Sequence, residues 1–124
     1  MPDVAIVTDS ISCLTTELVS QYKIVIVPIR LLVQGKVYRD MVDMTPSQAY
    51  ELFLKDPESF NTSPASPGHY LEAYRDASKW ASSILCVTLS SRLSTGFDMA
   101  RVAAEPPDMG SKPKSATIVG FLLK

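Results

Sequence analysis

The residues best placed to do chemistry are hydroxyls, gathered in three loops: Thr8-Asp9-Ser10, Thr62-Ser63 with Ser66, and Ser90-Ser91 with Ser94-Thr95-Gly96. Hydroxyls and the backbone N–H groups at a helix start donate to anions. A cluster of them without Lys or Arg suits one carboxylate or a single anionic head group better than a polyphosphate. Other chemistries lack their parts. The chain has 1 histidine, His69, early in a helix beside Tyr70 and without a metal or nucleophile partner, so an exposed helical side chain is expected. A serine nucleophile would require a base and an oxyanion hole, and Ser94-Thr95-Gly96 lacks the Gly-x-Ser-x-Gly frame. The glycines complete neither Gly-x-x-x-x-Gly-Lys nor Gly-x-Gly-x-x-Gly, the loops that cradle nucleoside phosphates. Cys13 and Cys86 form no Cys-x-x-Cys, which argues against a zinc site and a disulfide framework. Each hydroxyl also has a plainer role open to it: Ser66 and Ser94 as helix N-caps, Thr62 and Ser63 as turn residues. Asp9 could orient a loop hydroxyl or only end a strand.

These loops need elements to hold them. Ile84 to Leu89 is an almost unbroken apolar run with β-branched residues, the pattern of a strand covered on both faces, and it leads into the Ser90–Gly96 turn and a helix opening near Ser94. Residues 3–8 form a similar run that ends in Asp9-Ser10. Residues 12–22 then change to a helical period through Leu14, Leu18 and Tyr22, and Ile24–Val27 is a second strand closed by Pro28. Residues 31–33 and 36–38 about Gln34-Gly35 read as a hairpin at one side of the sheet. Thr45-Pro46-Ser47-Gln48 opens a helix with a capping box, its apolar face being Tyr50, Phe53 and Leu54, and Pro57 stops it. Residues 60–68 read as a stiff loop whose Ser66-Pro67 starts a helix to about Ala81 along Tyr70, Tyr74 and Ala77. After Gly96, Phe97, Ala100, Ala103 and Ala104 form a small-residue face. Residues 108–115 make a flexible loop, 116–119 a last strand and 121–124 a tail. The alternation predicts one α/β domain over 1–124, a mostly parallel sheet with helices on both faces in Rossmann-like layering. In such a sheet the first and third hydroxyl loops leave from the same edge.

With 124 residues, 46% hydrophobic and 20% charged, the chain can build one core but not two ordinary ones. A net charge of −1 with scattered Lys and Arg supplies no basic stripe for nucleic acid or an anionic membrane. No apolar run reaches membrane-span length and the N-terminus carries no secretory pattern, so a soluble cytoplasmic protein is expected.

Five segments, Val4-Ala-Ile-Val-Thr-Asp-Ser10, Ile24-Val-Ile-Val-Pro28, Tyr38-Arg-Asp40, Thr62-Ser-Pro-Ala-Ser-Pro-Gly68 and Leu89-Ser-Ser-Arg-Leu-Ser-Thr-Gly96, resemble in that order the amino-terminal half of the DegV family. The resemblance implies a bacterial fatty-acid-binding protein, with a long-chain fatty acid as ligand, no cofactor and no metal. It implies that the carboxylate is held by Thr62 and by Ser94. Ser63, Asp9, Ser10, Ser91 and Gly96 are further ligand-binding or supporting candidates. Where the family usually reads Thr-Ser-Gln-Pro-Ser this chain has Thr62-Ser63-Pro64-Ala65-Ser66, and where it reads Ser-Gly-Thr this chain has Ser94-Thr95-Gly96. Residues 105–124 diverge, and the family's second lobe is not among these 124 residues.

The combined expectation is non-catalytic binding of a fatty acid such as palmitate, for lipid transport or for presentation to a fatty acid kinase subunit. The alternative is a truncated DegV-like scaffold or interaction domain without lipid, and an acyl or phosphoryl transferase at the same loops would require a general base the sequence does not show. Each buried methylene contributes about 0.8 kcal/mol, so half a cavity should hold lipid weakly, and a homodimer is one way to close the groove.

Overall fold

The β-branched run at the start of the chain forms β1 (Val4–Asp9), and the run before the Ser90 turn forms β6 (Ser83–Leu89). The two lie parallel, with Val4 opposite Ser83 and Thr8 opposite Val87. The computed structural model describes residues 4–104 and the backbone of 115–121. β2 (Val25–Val27) flanks β1 and β7 (Ser115–Phe121) flanks β6, all parallel, in the order β2-β1-β6-β7. After β1 the chain moves one way along the sheet and after β6 the other way. That reversal is a topological switch point, and the crevice at its carboxyl edge is where open α/β sheets take ligands.

One face of this sheet is sealed by two helices. Tyr70, Tyr74 and Ala77 of α3 (Pro67–Ala77) and Ala100 and Ala103 of α4 (Gly96–Ala104) close over Ala5, Val7, Val27, Ile84 and Cys86. The alanines let α4 approach closely enough for Tyr74 Oη to donate to the Ala100 carbonyl at 2.8 Å, inside the core. Burial pushes the Cys86 thiol up to about 11, so it behaves as a small apolar side chain.

The other face is covered far less. A right-handed β1–α1–β2 crossover, running opposite to β6–α4–β7, places α1 (Thr16–Tyr22) on that side. None of the α1 residues is buried, and Leu18 and Tyr22 are 41% and 61% exposed. Along β6, Ile84, Cys86 and Thr88 are therefore buried while Leu85, Val87 and Leu89 are only partly covered, and Val4 and Ile6 of β1 are exposed. The two-sided burial expected of the 84–89 run occurs on one side. The first helix also starts later than its periodicity suggests: Ser10–Ser12 is a 3-10 turn, Cys13 is left-handed at φ 52°, and Thr15 caps α1 by accepting from Leu18 N.

The hairpin β3 (Arg30–Val33) and β4 (Lys36–Arg39) turns through Gln34 and Gly35 at φ 49° and 78°, the mirror-image turn that matches strand twist. It does not extend the parallel sheet. Phe60–Ser63, expected to be loop, pairs antiparallel with β3 as β5, giving a second sheet of order β4-β3-β5. Thr45 and Gln48 make the capping box that opens α2 (Pro46–Lys55). The helix turns Ala49 and Leu52, rather than Tyr50, Phe53 and Leu54, toward the small core of Ile29, Leu31 and Met44. Tyr50 and Leu54 stay mostly exposed, and Phe53 meets Phe60 edge-on with centroids 5.7 Å apart. Ser66 caps α3 as expected, but the helix ends at Ala77 rather than Ala81. Residues 116–119 form a strand as expected, extended to Ser115 and Phe121; residues 108–114 of the expected loop and 122–124 of the tail lie outside the described residues.

A buried hydrogen bond from Ile29 N to Ser10 Oγ at 3.0 Å ties the residue ahead of β3 to the turn after β1. Ser10→Ala leaves that N–H unpaired and should lower stability by about 1–3 kcal/mol, read as a reduced urea midpoint; an unchanged midpoint would show the tie to be dispensable. Gly35→Ala forces a Cβ into a left-handed residue and should cost roughly 1–2 kcal/mol in the same assay, although nothing lies within 4 Å of the added atom.

Candidate functional site

Parallel β1 and β6 deliver Asp9-Ser10 and Ser90 to the same edge of the sheet. Beyond β6 the chain folds into a turn centred on Ser90, whose carbonyl accepts from Leu93 N and Ser94 N and whose Oγ accepts from Arg92 N. The turn aims Ser94 back over the start of α4, where Ser94 Oγ accepts from Gly96 N at 3.1 Å. A hydroxyl used as an acceptor keeps its O–H to give to a ligand oxygen. Gly96 is buried, and a Cβ placed on it would stand 3.4 Å from Ser94 Oγ and 3.7 Å from Tyr70 Oη. A hydrogen there keeps the α4 N-terminus close to both hydroxyls.

The second hydroxyl loop is carried by β5. Pairing with β3 sets Thr62 opposite Leu31 and Ser63 opposite Arg30. Arg30 then clasps the loop, donating from Nη2 to Ser63 Oγ at 3.1 Å and from Nε to the Pro64 carbonyl at 3.1 Å. Ser63 Oγ also donates to the Pro64 carbonyl. Its hydroxyl is thus spent on positioning the loop, while Thr62 beside it is exposed.

These loops meet at one cavity of about 230 Å³, lined by Asp9, Thr62, Ser63, Ser94, Thr95 and Gly96, with Ile11, Ile29, Pro64, Tyr70 and Leu93 as its apolar and aromatic wall. None of these lining residues is Lys, Arg or His. Five of the seven residues singled out from the sequence line it. Ser10 does not, because it is buried against Ile29 N, and Ser91 is exposed on the Ser90 turn, away from the lining. Tyr70 and Arg30 were not foreseen as site residues. Tyr70 had a signal, its place on the core face of α3 just after the Ser66 cap, whereas Arg30 becomes legible only once β3 is paired with β5.

Asp9 is the ionisable group of greatest interest in the wall. It is 6% exposed, its Oδ1 accepts from Ile11 N at 3.0 Å, and burial raises its carboxyl above the usual carboxylate range despite the backbone N–H groups of Ile11 and Ser12, which pull the other way. The Tyr70 phenol is pushed up as well, first by burial and then by the Asp9 charge. His69, as expected, is exposed on α3, with its Nδ1 3.0 Å from Ser66 Oγ and not in the cavity wall.

The first of two further cavities borders this one. It has about 260 Å³, shares Asp9 and Ile11 with the hydroxyl-lined cavity and adds Thr8, Val87 and Leu89 from the lightly covered sheet face. The second, of about 420 Å³, lies between β2 and α3 and is lined by Arg30 and Arg39 and by Glu72, Arg75 and Asp76 of α3. Its arginines have engagements already: Arg30 on the loop, Arg39 with Asp43 at 3.5 Å.

The sequence pattern of the DegV family, described as a family of uncharacterised proteins, matches residues 3–118. A DegV domain-containing protein of Caldanaerobacter subterraneus subsp. tengcongensis is 32% identical over 108 residues, which is 87% of this chain and 38% of that protein. Among solved structures, a DegV family protein of Thermus thermophilus, described for its fatty acid binding, superposes with a TM-score of 0.78 at 27% identity over 95% of this chain and 40% of that one. A stearic acid-binding protein of Eubacterium ventriosum gives a TM-score of 0.73 at 28% identity, over 83% of this chain and 35% of its own. The chain spans about two-fifths of the length of these relatives. With a match that runs nearly end to end, and with the parallel sheet and hydroxyl loops in place, this chain belongs to the DegV family.

Proposed function

We propose that this chain binds the carboxyl end of a long-chain fatty acid without turning it over, with Thr62 and Ser94 as donors to the head group and Ser63 and Arg30 as the clasp that positions Thr62. The observation that carries the reading is the convergence of hydroxyl loops, far apart in sequence, on one small cavity at the switch point, beside the α4 N-terminus and without a Lys or Arg among the described residues of its wall. Such a wall favours a single carboxylate over a phosphate, which draws on Arg or Lys. The fatty acids that the Thermus and Eubacterium proteins bind support the ligand class.

The adjoining cavity of Ile11, Val87 and Leu89 offers the acyl chain a path from Asp9 onto the sheet face that α1 leaves largely open. Each methylene laid there contributes about 0.8 kcal/mol when fully removed from water, so the tail supplies most of the affinity and the hydroxyls supply selectivity. Transport of the lipid, or its presentation to a fatty acid kinase, is the wider role that the family resemblance suggests for this site.

The test is palmitate binding by the wild type and by Thr62→Ala/Ser94→Ala, followed by native mass spectrometry and calorimetry. A hydrogen bond to a charged group contributes about 1.5–3 kcal/mol, so each lost hydroxyl should weaken binding about tenfold or more. Equal palmitate binding by both proteins, or none by either, would refute the assignment.

A further inference from the structure

A carboxylate held by Thr62 and Ser94 would share a cavity of about 230 Å³ with the carboxyl group of Asp9. That small space brings the two groups near one another, in surroundings less polar than water. A like charge nearby disfavours ionisation, so two carboxylates there ionise together only at a cost, which a cation beside them would lower. Among the described residues, the groups that face Asp9 supply none. From its own turn come the N–H groups of Ile11 and Ser12; from α3 comes the Tyr70 phenol and from β6 the Cys86 thiol, both neutral and both raised by burial. The hydroxyls of Thr62, Ser63, Ser94 and Thr95 complete the wall. Arg30, the cation of the neighbouring strand, spends Nε and Nη2 on Pro64 and Ser63.

We propose that Asp9 and the ligand's carboxyl group share one proton, so that binding a fatty acid takes up a proton from solution and weakens as pH rises. This deepens the reading of the cavity as a carboxylate site and rests on it. A sulfonate of equal chain length cannot itself hold the proton, so it can share the cavity only with Asp9 protonated, and its binding would take up a proton as well. The direction of the Asp9 shift, upward through burial, favours the protonated partner that the shared proton requires.

The experiment uses decanoate below its micellar range, with decanamide as the uncharged control and decyl sulfonate as the permanent anion, titrated calorimetrically between pH 7 and 9. Wild type should bind decanoate with an apparent Kd that rises by up to about tenfold per pH unit, and should take up close to one proton when buffers of different ionisation enthalpy are compared. Decanamide should show neither effect, and decyl sulfonate, which cannot itself hold the proton, should show the same slope through protonation of Asp9. Asp9→Asn keeps an oxygen for Ile11 N and should flatten the decanoate and sulfonate profiles alike. Decanoate binding by wild type with no pH slope and no proton uptake would overturn the proposal while leaving the carboxylate site intact, as would an unaltered slope in folded Asp9→Asn. Should Asp9→Asn fail to fold, proton uptake by the wild type decides alone. Failure of wild type to bind decanoate at any pH would remove both the site and the shared proton.

Discussion

Parallel pairing of β1 with β6 forces the chain to leave both strands at the same edge of the sheet, and the rest of the site depends on that constraint. Five registered pairs, from Val4 with Ser83 to Thr8 with Val87, fix the relative height of Asp9 and the Ser90 turn. Thr8 Oγ1 adds a hydrogen bond to the Val87 carbonyl at 2.9 Å, so the strands are stitched by a side chain as well as by backbone at the point where they part. A slip of one residue would turn Val7 and Cys86, both fully buried, to the opposite face. The core against α3 and α4 therefore enforces the register, and the register places the loops. Core packing and site geometry are here one problem.

The second sheet is a positioning device for a single loop. Its own core is small, three buried residues with a ring of partly buried neighbours, and it is joined to the first through Ser10 and Ile29. What it supplies is β5, which lifts Thr62 over the edge of the parallel sheet, and Arg30, which locks Ser63 and Pro64 from behind. A cation used in this way acts structurally. It stiffens the loop, and among the described residues the electrostatics of the cavity wall are set by hydroxyl dipoles, the α4 N-terminus and Asp9.

The uneven cover of the sheet has a related consequence. Packing of α3 and α4 buries Ala5, Val7, Ile84 and Cys86 on one face, while the face of Val4, Ile6, Leu85 and Val87 remains partly wet. Apolar surface in that state carries an unrealised hydrophobic gain, which an acyl chain or more polypeptide would supply. The cavity that joins the hydroxyl loops to this face begins at Asp9 and Ile11, so head group and tail are sorted by the same strand end.

By itself the sequence determined the elements with strong local signals. The β-branched runs, the Thr45–Gln48 capping box, the Ser66-Pro67 start of α3 and the Gln34-Gly35 turn all depend on interactions within a few residues, and all stand in the structure. It also marked Asp9, Thr62, Ser63, Ser94 and Gly96, through their types and through the family motifs that contain them, and these five line one cavity. Tertiary structure alone decided what depends on distant partners. Phe60–Ser63 is a strand because β3 pairs with it, α2 shows solvent the face of Tyr50 and Leu54 because its core offers room only for Ala49 and Leu52, and β6 is dry on one side because α1 covers so little of the other. The division between Ser10, which holds Ile29, and Ser94, which lines the cavity, is of the same kind: two serines after two strands look alike in sequence, and only the three-dimensional path of the chain assigns one to a neighbouring backbone and the other to an open cavity.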